Sequence, residues 1–222
     1  MQVEELRQAS LVFRMLSALF REAPRVTGES PAVTAPDPQG DAPEALTQGP
    51  ALVASAVARM QTDRTAAEEY ARDFQRLFIG PDHVPAPPWE SVYRTDDHVL
   101  CGPPCSEVHD AYRGAGLESS LGSREPEDHI WLELAFCAVL CGRAAESLAT
   151  GTGPGGGAAA APWLDHYRAF LRDHLLLWAP AFTKDVLEHA QTDLYRGAGL
   201  WLDTWLQQQE AWLREPVAGR GF

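Results

Sequence analysis

The chain has 222 residues, enough for one sizeable hydrophobic core, and its 45% content of apolar residues is that of an ordinary soluble globular protein. Its formal net charge is −13, from 18 Lys and Arg against 31 Asp and Glu. Phosphate binding needs a basic face, so this charge argues against a nucleic-acid partner and favours a cationic one.

The sequence shows no run of the roughly 18 consecutive apolar residues that would span a bilayer. Residues 1–8 are polar and acidic, whereas a secretory signal begins basic and then becomes apolar. We therefore expect no membrane span and a cytoplasmic location. In that reducing compartment the four cysteines should be free thiols rather than a disulfide framework.

The first segment carries apolar residues at helical spacing and predicts an amphipathic helix of about five turns that ends near Pro24. Residues 24–50 are rich in Pro, Gly, Ser, Thr and Asp, which predicts a surface loop or a partly disordered insert without chemistry. Helices are predicted again at about 50–61 and 65–79. The second of these is expected to bury Tyr70, Phe74, Leu77 and Phe78.

Six prolines lie between residues 80 and 105, which excludes a regular helix and predicts a fixed, extended loop. Within it, Pro87 and Pro88 place Trp89 on a rigid turn. A rigid aromatic loses little entropy on binding and can anchor an apolar peptide. The alternative is that Trp89 only pins the loop onto the core. A shorter helix is predicted at about 106–115.

A long apolar helix is predicted over 126–149, with Pro126 at its first position and acidic residues around its positive end, namely Glu125, Glu127 and Asp128. These carboxylates either cap the helix or pair with guanidinium groups of a cationic partner. An acid–base role for Asp128 and His129 would need a nucleophile and a third positioned group, and no such motif accompanies them. We therefore predict no catalytic residue.

Residues 151–161 form a glycine- and alanine-rich segment, which predicts a linker between an N-terminal helical part, 1–150, and a C-terminal part, 162–222. The segment matches a dinucleotide-binding glycine pattern, but it follows a helix and lacks a surrounding βαβ unit. Helices are predicted at about 162–177, 180–196 and 198–214. No strand alternation is found, so the predicted fold class is all-α, as a single helical domain or a two-part bundle.

The cysteines form two pairs, Cys101 with Cys105 and Cys137 with Cys141, that can be read as four metal ligands. Structural zinc prefers a tighter Cys-x-x-Cys spacing. Cys137 lies between apolar residues of the predicted long helix, which favours packing in the core. We predict no metal ion and no cofactor.

Three stretches resemble the TorD/DmsD family of cytoplasmic chaperones: Tyr70–Pro81 running on to Ala86–Tyr93, the Glu-Pro-x-Asp-His box at 125–129, and the aromatic segment 166–182. Members of that family hold molybdenum-containing redox enzymes and their twin-arginine signal peptides until the cofactor is in place. The resemblance implies that Leu77, Phe78, Pro88 and Trp89 contribute to a signal-peptide site, together with Asp128 and His129.

The resemblance predicts a non-enzymatic chaperone whose partners are the apoform and twin-arginine signal peptide of a molybdenum oxidoreductase. An apolar groove of Phe78, Pro88 and Trp89 would take the hydrophobic part of the signal, while Glu90 and Asp128 attract its arginines. The protein is expected to be a monomer or a dimer that exchanges helices through the 151–161 hinge. Two alternatives remain: an assembly factor for a non-exported nitrate-reductase-like enzyme, and a metal- or nucleotide-dependent enzyme.

Overall fold

A computed structural model describes residues 2–24, 44–81, 83–97, 99–118, 125–151 and 156–214. Within these ranges the chain folds into helices, with no β-strand beyond one isolated antiparallel bridge between Trp89 and His129. The predicted all-α fold class is therefore confirmed. None of the helices described is long and apolar enough to cross a membrane.

The helices in chain order are α1 (Val3–Arg21), α2 (Glu44–Thr62), α3 (Arg64–Phe74), α4 (Glu90–Arg94), α5 (Pro103–Gly114), α6 (Ile130–Thr150), α7 (Gly156–Phe170), α8 (Leu176–His189) and α9 (Asp193–Arg214). Helices α3 and α7 each continue into a π-helical turn, Gln75–Ile79 and Leu171–Leu175. Such turns are rare in proteins as a whole, and many of those that occur lie at functional sites. Both lie in the segments that carry the family resemblance.

The prediction for α1 is confirmed, but three other helices begin earlier than the prolines suggested. Pro50, Pro162 and Pro180 lie inside α2, α7 and α8, although each had been placed at a helix start. In α7 the alanines before Pro162 are strong helix formers, so the helix extends back to Gly156 through the predicted linker. Residues 25–43 and 152–155 of the predicted loop and linker lie outside the described residues.

The predicted loop over 80–105 also needs correction. It contains the short helix α4, and α5 already begins at Pro103 because proline suits the first helical position. The long helix starts at Ile130 and not at Pro126, since the Glu-Pro-x-Asp-His box forms a turn that ends at the N-cap residue His129.

The prediction of one helix over 180–196 is wrong, because α8 ends at His189 and α9 begins at Asp193. The buried carboxylate of Asp73 explains the break. Its Oδ2 accepts the backbone N–H of Gln191 at 3.0 Å and that of Thr192 at 2.9 Å. These donors satisfy the carboxylate only if the chain leaves the helix at that point.

The chain divides into two compact units. The first unit comprises Met1–Ser17, Trp89–Trp178 and Gln208–Phe222, and the second comprises Ala18–Pro88 and Ala179–Gln207. Each unit takes segments from both predicted parts, 1–150 and 162–222. The division of the chain into those two parts stays a prediction.

The second unit is built around an aromatic cluster of Phe20, Phe74, Phe78, Phe182 and Tyr195. Phe78 lies at its centre, with ring centroids 5.2 Å from Phe74, 5.5 Å from Tyr195 and 5.8 Å from Phe20. Edge-to-face contacts of this kind stabilise a core beyond the area that they bury.

The first unit has α6 as its central helix, with Leu134, Cys137 and Cys141 fully buried. Aromatic rings pack along it: Phe136 lies 4.5 Å from Tyr112 and 4.8 Å from Phe170 between centroids. The expectation that Cys137 serves core packing is confirmed.

Candidate functional site

The residues expected to bind a peptide fall in both units. Leu77, Phe78 and Pro88 belong to the second unit, and the other four belong to the first: Trp89, Glu90, Asp128 and His129.

Leu77 and Phe78 lie on the π-helical turn after α3 and are buried in the second unit. The turn ends at Gly80, whose φ of 52° suits glycine, and the carbonyl of Leu77 accepts the N–H of Ala86 at 3.1 Å. This bond anchors the proline loop on the π-helical turn. Both side chains present almost no surface, so their direct contact with a peptide stays a prediction.

In the first unit, the end of the proline loop meets the Glu-Pro-x-Asp-His box. Trp89 and His129 form the isolated β-bridge, and their rings meet edge to face at 5.4 Å. The backbone N–H of Glu90 donates to the carbonyl of Asp128 at 2.9 Å. Two motifs that are separate in the sequence thus form one structural element.

Asp128 completes this junction with its side chain. It is fully buried, and its Oδ2 accepts the backbone N–H of Ser91 at 2.8 Å, in the first turn of α4. A carboxylate at this position also interacts favourably with the positive end of a helix. Asp128 therefore holds the loop after Trp89. It does not cap α6, although capping was one of the two roles that the sequence had suggested for it.

The N-cap of α6 is His129, whose Nδ1 accepts the N–H of Trp131 at 3.2 Å. A ring nitrogen can accept only when it carries no proton, so the imidazole is neutral and its Nε2 carries the hydrogen. Burial lowers the pKa of His129 to about 3, which agrees with this geometry. Nε2 lies 3.8 Å from Glu125 Oε1.

Two further buried carboxyl groups lie next to each other in the first unit. Glu90 accepts from Arg94 Nη1 at 2.5 Å and lies 3.2 Å from His174 Nδ1. Glu133 accepts the indole N–H of Trp178 at 3.1 Å. Burial, followed by the charge of Glu90, raises the pKa of Glu133 well above its usual range. Glu133 therefore favours its protonated form, while Glu90 is paired with the guanidinium of Arg94.

Sequence analysis missed four of these residues: Arg94, Glu133, His174 and Trp178. His174 and Trp178 do lie in the aromatic segment 166–182, which was a signal of their importance. His174 sits on the second π-helical turn, stacked on Phe170 at 4.9 Å. Its partner Glu90 is 84 residues away in the chain, so the pairing could not be read from spacing.

Acidic side chains also occur at the surface of the same unit. Glu107, which is half exposed, lies 3.2 Å from Arg94 Nη1, and Glu127 lies 2.7 Å from His109 Nδ1. These groups are accessible to a cationic ligand, whereas Glu90 and Asp128 are not.

The cysteines are all free thiols, with Cys101 exposed and Cys105 half-buried. Burial, followed by the negative charge of Asp128, raises the pKa of Cys105 to about 12. Within the part of the chain that the structure describes, no three His, Cys, Asp or Glu side chains are grouped to hold a metal ion.

Comparison with known proteins places this geometry in context. A sequence model described as nitrate reductase delta subunit matches residues 40–184. The chaperone protein TorD of Vibrio cholerae serotype O1 is 30% identical over 172 residues, which is 74% of this chain and 71% of that protein. The Tat proofreading chaperone DmsD of Salmonella typhi is 31% identical over 153 residues, or 68% and 65% of the two chains.

Proposed function

The chain belongs to the nitrate reductase delta subunit family, and on that premise we propose that it is a cytoplasmic chaperone of a molybdenum oxidoreductase. It binds the apoform and the twin-arginine signal peptide of that enzyme until the cofactor is inserted, and then releases it for export. The observation that carries the proposal is the similarity to relatives named as the chaperone TorD and the Tat proofreading chaperone DmsD, over about two thirds or more of this chain.

The junction between the proline loop and the Glu-Pro-x-Asp-His box supports a binding role in the first unit. Trp89 is only half-buried, so part of a rigid aromatic ring is available to an apolar peptide segment. Asp128 and His129 fix the position of Trp89 through the bridge and the backbone bonds around it. We propose that Trp89 contacts the peptide and that Asp128 and His129 act by positioning it.

The buried residues of the second unit have a supporting role in this proposal. Leu77 and Phe78 hold the start of the proline loop through the aromatic cluster and the bond to Ala86. Pro88, which is buried, fixes the backbone immediately before Trp89 because its φ is set by its ring. Truncating any of the three would alter the loop rather than remove a direct contact.

Electrostatics support the recognition of arginine. The chain carries a net charge of −13, and the first unit has accessible carboxylates at Glu107 and Glu125. Carboxylates match the two-pronged guanidinium group better than they match an ammonium group. Glu90 is buried and pairs with Arg94, which Glu107 also contacts.

A second candidate is an assembly factor for a nitrate-reductase-like enzyme that is not exported. The description of the matching family, nitrate reductase delta subunit, favours it. The two candidates differ in what is recognised: the first requires a signal peptide, and the second requires only the body of the enzyme.

Co-purification separates the two candidates. The tagged chain would be co-expressed with a molybdenum oxidoreductase from the same genome, with and without its twin-arginine signal. We expect capture of cofactor-free precursor, and much weaker capture once the signal is removed. Equal capture of both forms would favour the second candidate, and capture of neither would overturn the proposal.

The oligomeric state forms a separate part of the proposal. We propose a monomer in equilibrium with a dimer that exchanges helices through the residues between α6 and α7, because glycine-rich hinges permit such exchange. Light scattering over a range of protein concentrations tests it, and a monomer under all conditions would remove the dimer.

A further inference from the structure

Arg94, the last residue of α4, lies among three oxygen acceptors of the first unit. Its Nη1 is 2.5 Å from Glu90 Oε1, 3.2 Å from Glu107 Oε2 and 3.5 Å from the carbonyl oxygen of Asp173. We call these three acceptors the guanidinium cradle. The Arg94 side chain is 26% exposed and that of Glu107 is 52% exposed, so the cradle can be reached from solvent at Glu107, whereas Glu90 is buried behind Arg94.

All three contacts between Arg94 and the cradle involve a single guanidinium nitrogen, Nη1. A guanidinium group binds a carboxylate most strongly when two of its nitrogens donate side by side. The neighbouring Arg172 does this with Asp173, at 2.7 Å from Nε to Oδ1 and 2.5 Å from Nη2 to Oδ2. A second guanidinium that approached the exposed Glu107 with two nitrogens would bind it better than Arg94 does.

On its buried side the cradle is backed by Glu133, which interacts directly with Glu90. Oε2 of Glu133 accepts the indole N–H of Trp178 at 3.1 Å. Glu133 therefore offers no guanidinium site of its own, and the acceptors of the cradle are those that Arg94 contacts.

We propose that Arg94 is an internal stand-in for an arginine of the partner and that it must leave the cradle when that arginine binds. The inference rests on the proposed function, since it names where one arginine of the signal peptide is received. Arg94 then lowers the affinity for the peptide, because a tethered side chain competes at high effective concentration. The simpler alternative is that Arg94 only neutralises the buried charge of Glu90.

The two readings make opposite predictions for peptide affinity. If Arg94 competes, Arg94→Ala should bind a twin-arginine peptide about tenfold more tightly than the wild type. Arg94→Lys should show a smaller gain, because an ammonium group still occupies the cradle as a point charge. If Arg94 only neutralises Glu90, neither variant should gain affinity.

A matched control separates this effect from overall charge. Arg143 is an exposed arginine of the same unit that pairs with Glu146 at 3.6 Å. Its replacement by alanine removes the same single positive charge, so Arg143→Ala should change the affinity less than twofold. A gain as large as that of Arg94→Ala would overturn the proposal, because it would be a general charge effect.

Calorimetric titration of the peptide into the three variants and the wild type is the test, with folding checked by circular dichroism. Unchanged or weaker binding by folded Arg94→Ala would overturn the inference, and if that variant does not fold, Arg94→Lys decides in the same way. If no protein binds the peptide, the proposed function itself has failed. In that case methylguanidinium tests whether the cradle binds a guanidinium group. It should raise the Tm of Arg94→Ala more than that of Arg143→Ala, and equal rises would show that the cradle does not bind it.

Discussion

The carboxyl groups of Glu90 and Glu133 lie side by side in the interior of the first unit, and both side chains are fully buried. Two negative charges cannot be held so closely in a medium of low dielectric constant. Arg94 and His174 are placed around Glu90, whereas the indole of Trp178 donates to Glu133. Burial and the neighbouring Glu90 raise the pKa of Glu133, so the folded state favours a proton on Glu133.

This arrangement predicts that Glu133→Gln leaves the protein at least as stable as the wild type at neutral pH. Glutamine can still accept from Trp178, and it needs no proton. The raised pKa of Glu133 means that the folded state keeps a proton that the unfolded state loses, so this group reduces stability as pH rises above 4.5. Urea unfolding from pH 5 to pH 8 should show a shallower decline in the variant.

The matched control is Glu90→Gln. It removes the charge that Arg94 and His174 face, and breaking a buried ion pair costs about 3 kcal/mol. If Glu133→Gln proved as destabilising as Glu90→Gln, the proton would not reside on Glu133.

His129 predicts a pH dependence of opposite sign. Its pKa is about 3 in the folded protein, against an ordinary value of 6.5. As pH falls below 6.5 the unfolded state takes up a proton that the folded state refuses, so stability is lost between pH 6.5 and pH 3. A shift of this size corresponds to roughly 5 kcal/mol.

The variant His129→Asn tests this origin, because asparagine can still cap α6 but does not titrate. Unfolding by urea at pH 7 and pH 4.5 should show a smaller loss of stability in the variant than in the wild type. Equal losses in both proteins would show that His129 is not the group responsible.

The sequence predicted what depends on local pattern. Apolar spacing was sufficient for α1, and the burial of Cys137 followed from its apolar neighbours. Prediction from the sequence failed where a residue far away in the chain determines the local structure. The end of α8 depends on Asp73, which lies more than 110 residues earlier. Helix starts at Pro162 and Pro180 were wrong because favourable helix formers and packing outweigh the cost of an interior proline.

The candidate site shows the same limit. Trp89, Asp128 and His129 were identified through the resemblance, and the structure brings them together. The burial of Asp128 and His129 was not foreseen, because a polar side chain in the sequence looks like a solvent-exposed group until its partners are known. Arg94 carried no motif of its own, and His174 was indicated only by the aromatic segment 166–182.

A close crossing of α2 and α9 predicts that Gly197→Ala destabilises the second unit. A Cβ atom at Gly197 would lie 2.8 Å from Leu52 Cβ and 3.0 Å from the carbonyl oxygen of Gly49, so the helices would have to separate. Overpacking of this kind costs about 1–3 kcal/mol. Thermal unfolding measures the loss.

Gly114→Ala is the control for this substitution, since its Cβ would meet only His166 Cε1, at 3.9 Å. It should be neutral or slightly stabilising. An unchanged Tm in Gly197→Ala would mean that the two helices are not in close contact.

The thiols should differ sharply in reactivity. Cys101 is exposed, whereas burial raises the pKa of Cys105 and of Cys141 to about 12 and also raises that of Cys137. Only the thiolate reacts, so a disulfide reagent at pH 8 should modify one thiol quickly in the folded protein. Cys101→Ser should abolish the fast phase, and urea should expose all four cysteines. Two or more fast thiols would contradict the described burial.

The central claim is that Trp89, held by Asp128 and His129, receives a twin-arginine signal peptide. Titration of an Arg-Arg peptide and its Lys-Lys counterpart tests it most directly, using wild type, Trp89→Ala and Asp128→Ala at two ionic strengths. We expect the wild type to prefer the Arg-Arg peptide and both variants to bind it more weakly. The loss should be nearly independent of salt, because apolar contact and a buried hydrogen bond are little screened. Equal affinity for the two peptides, with no effect of either substitution in folded protein, would contradict the account.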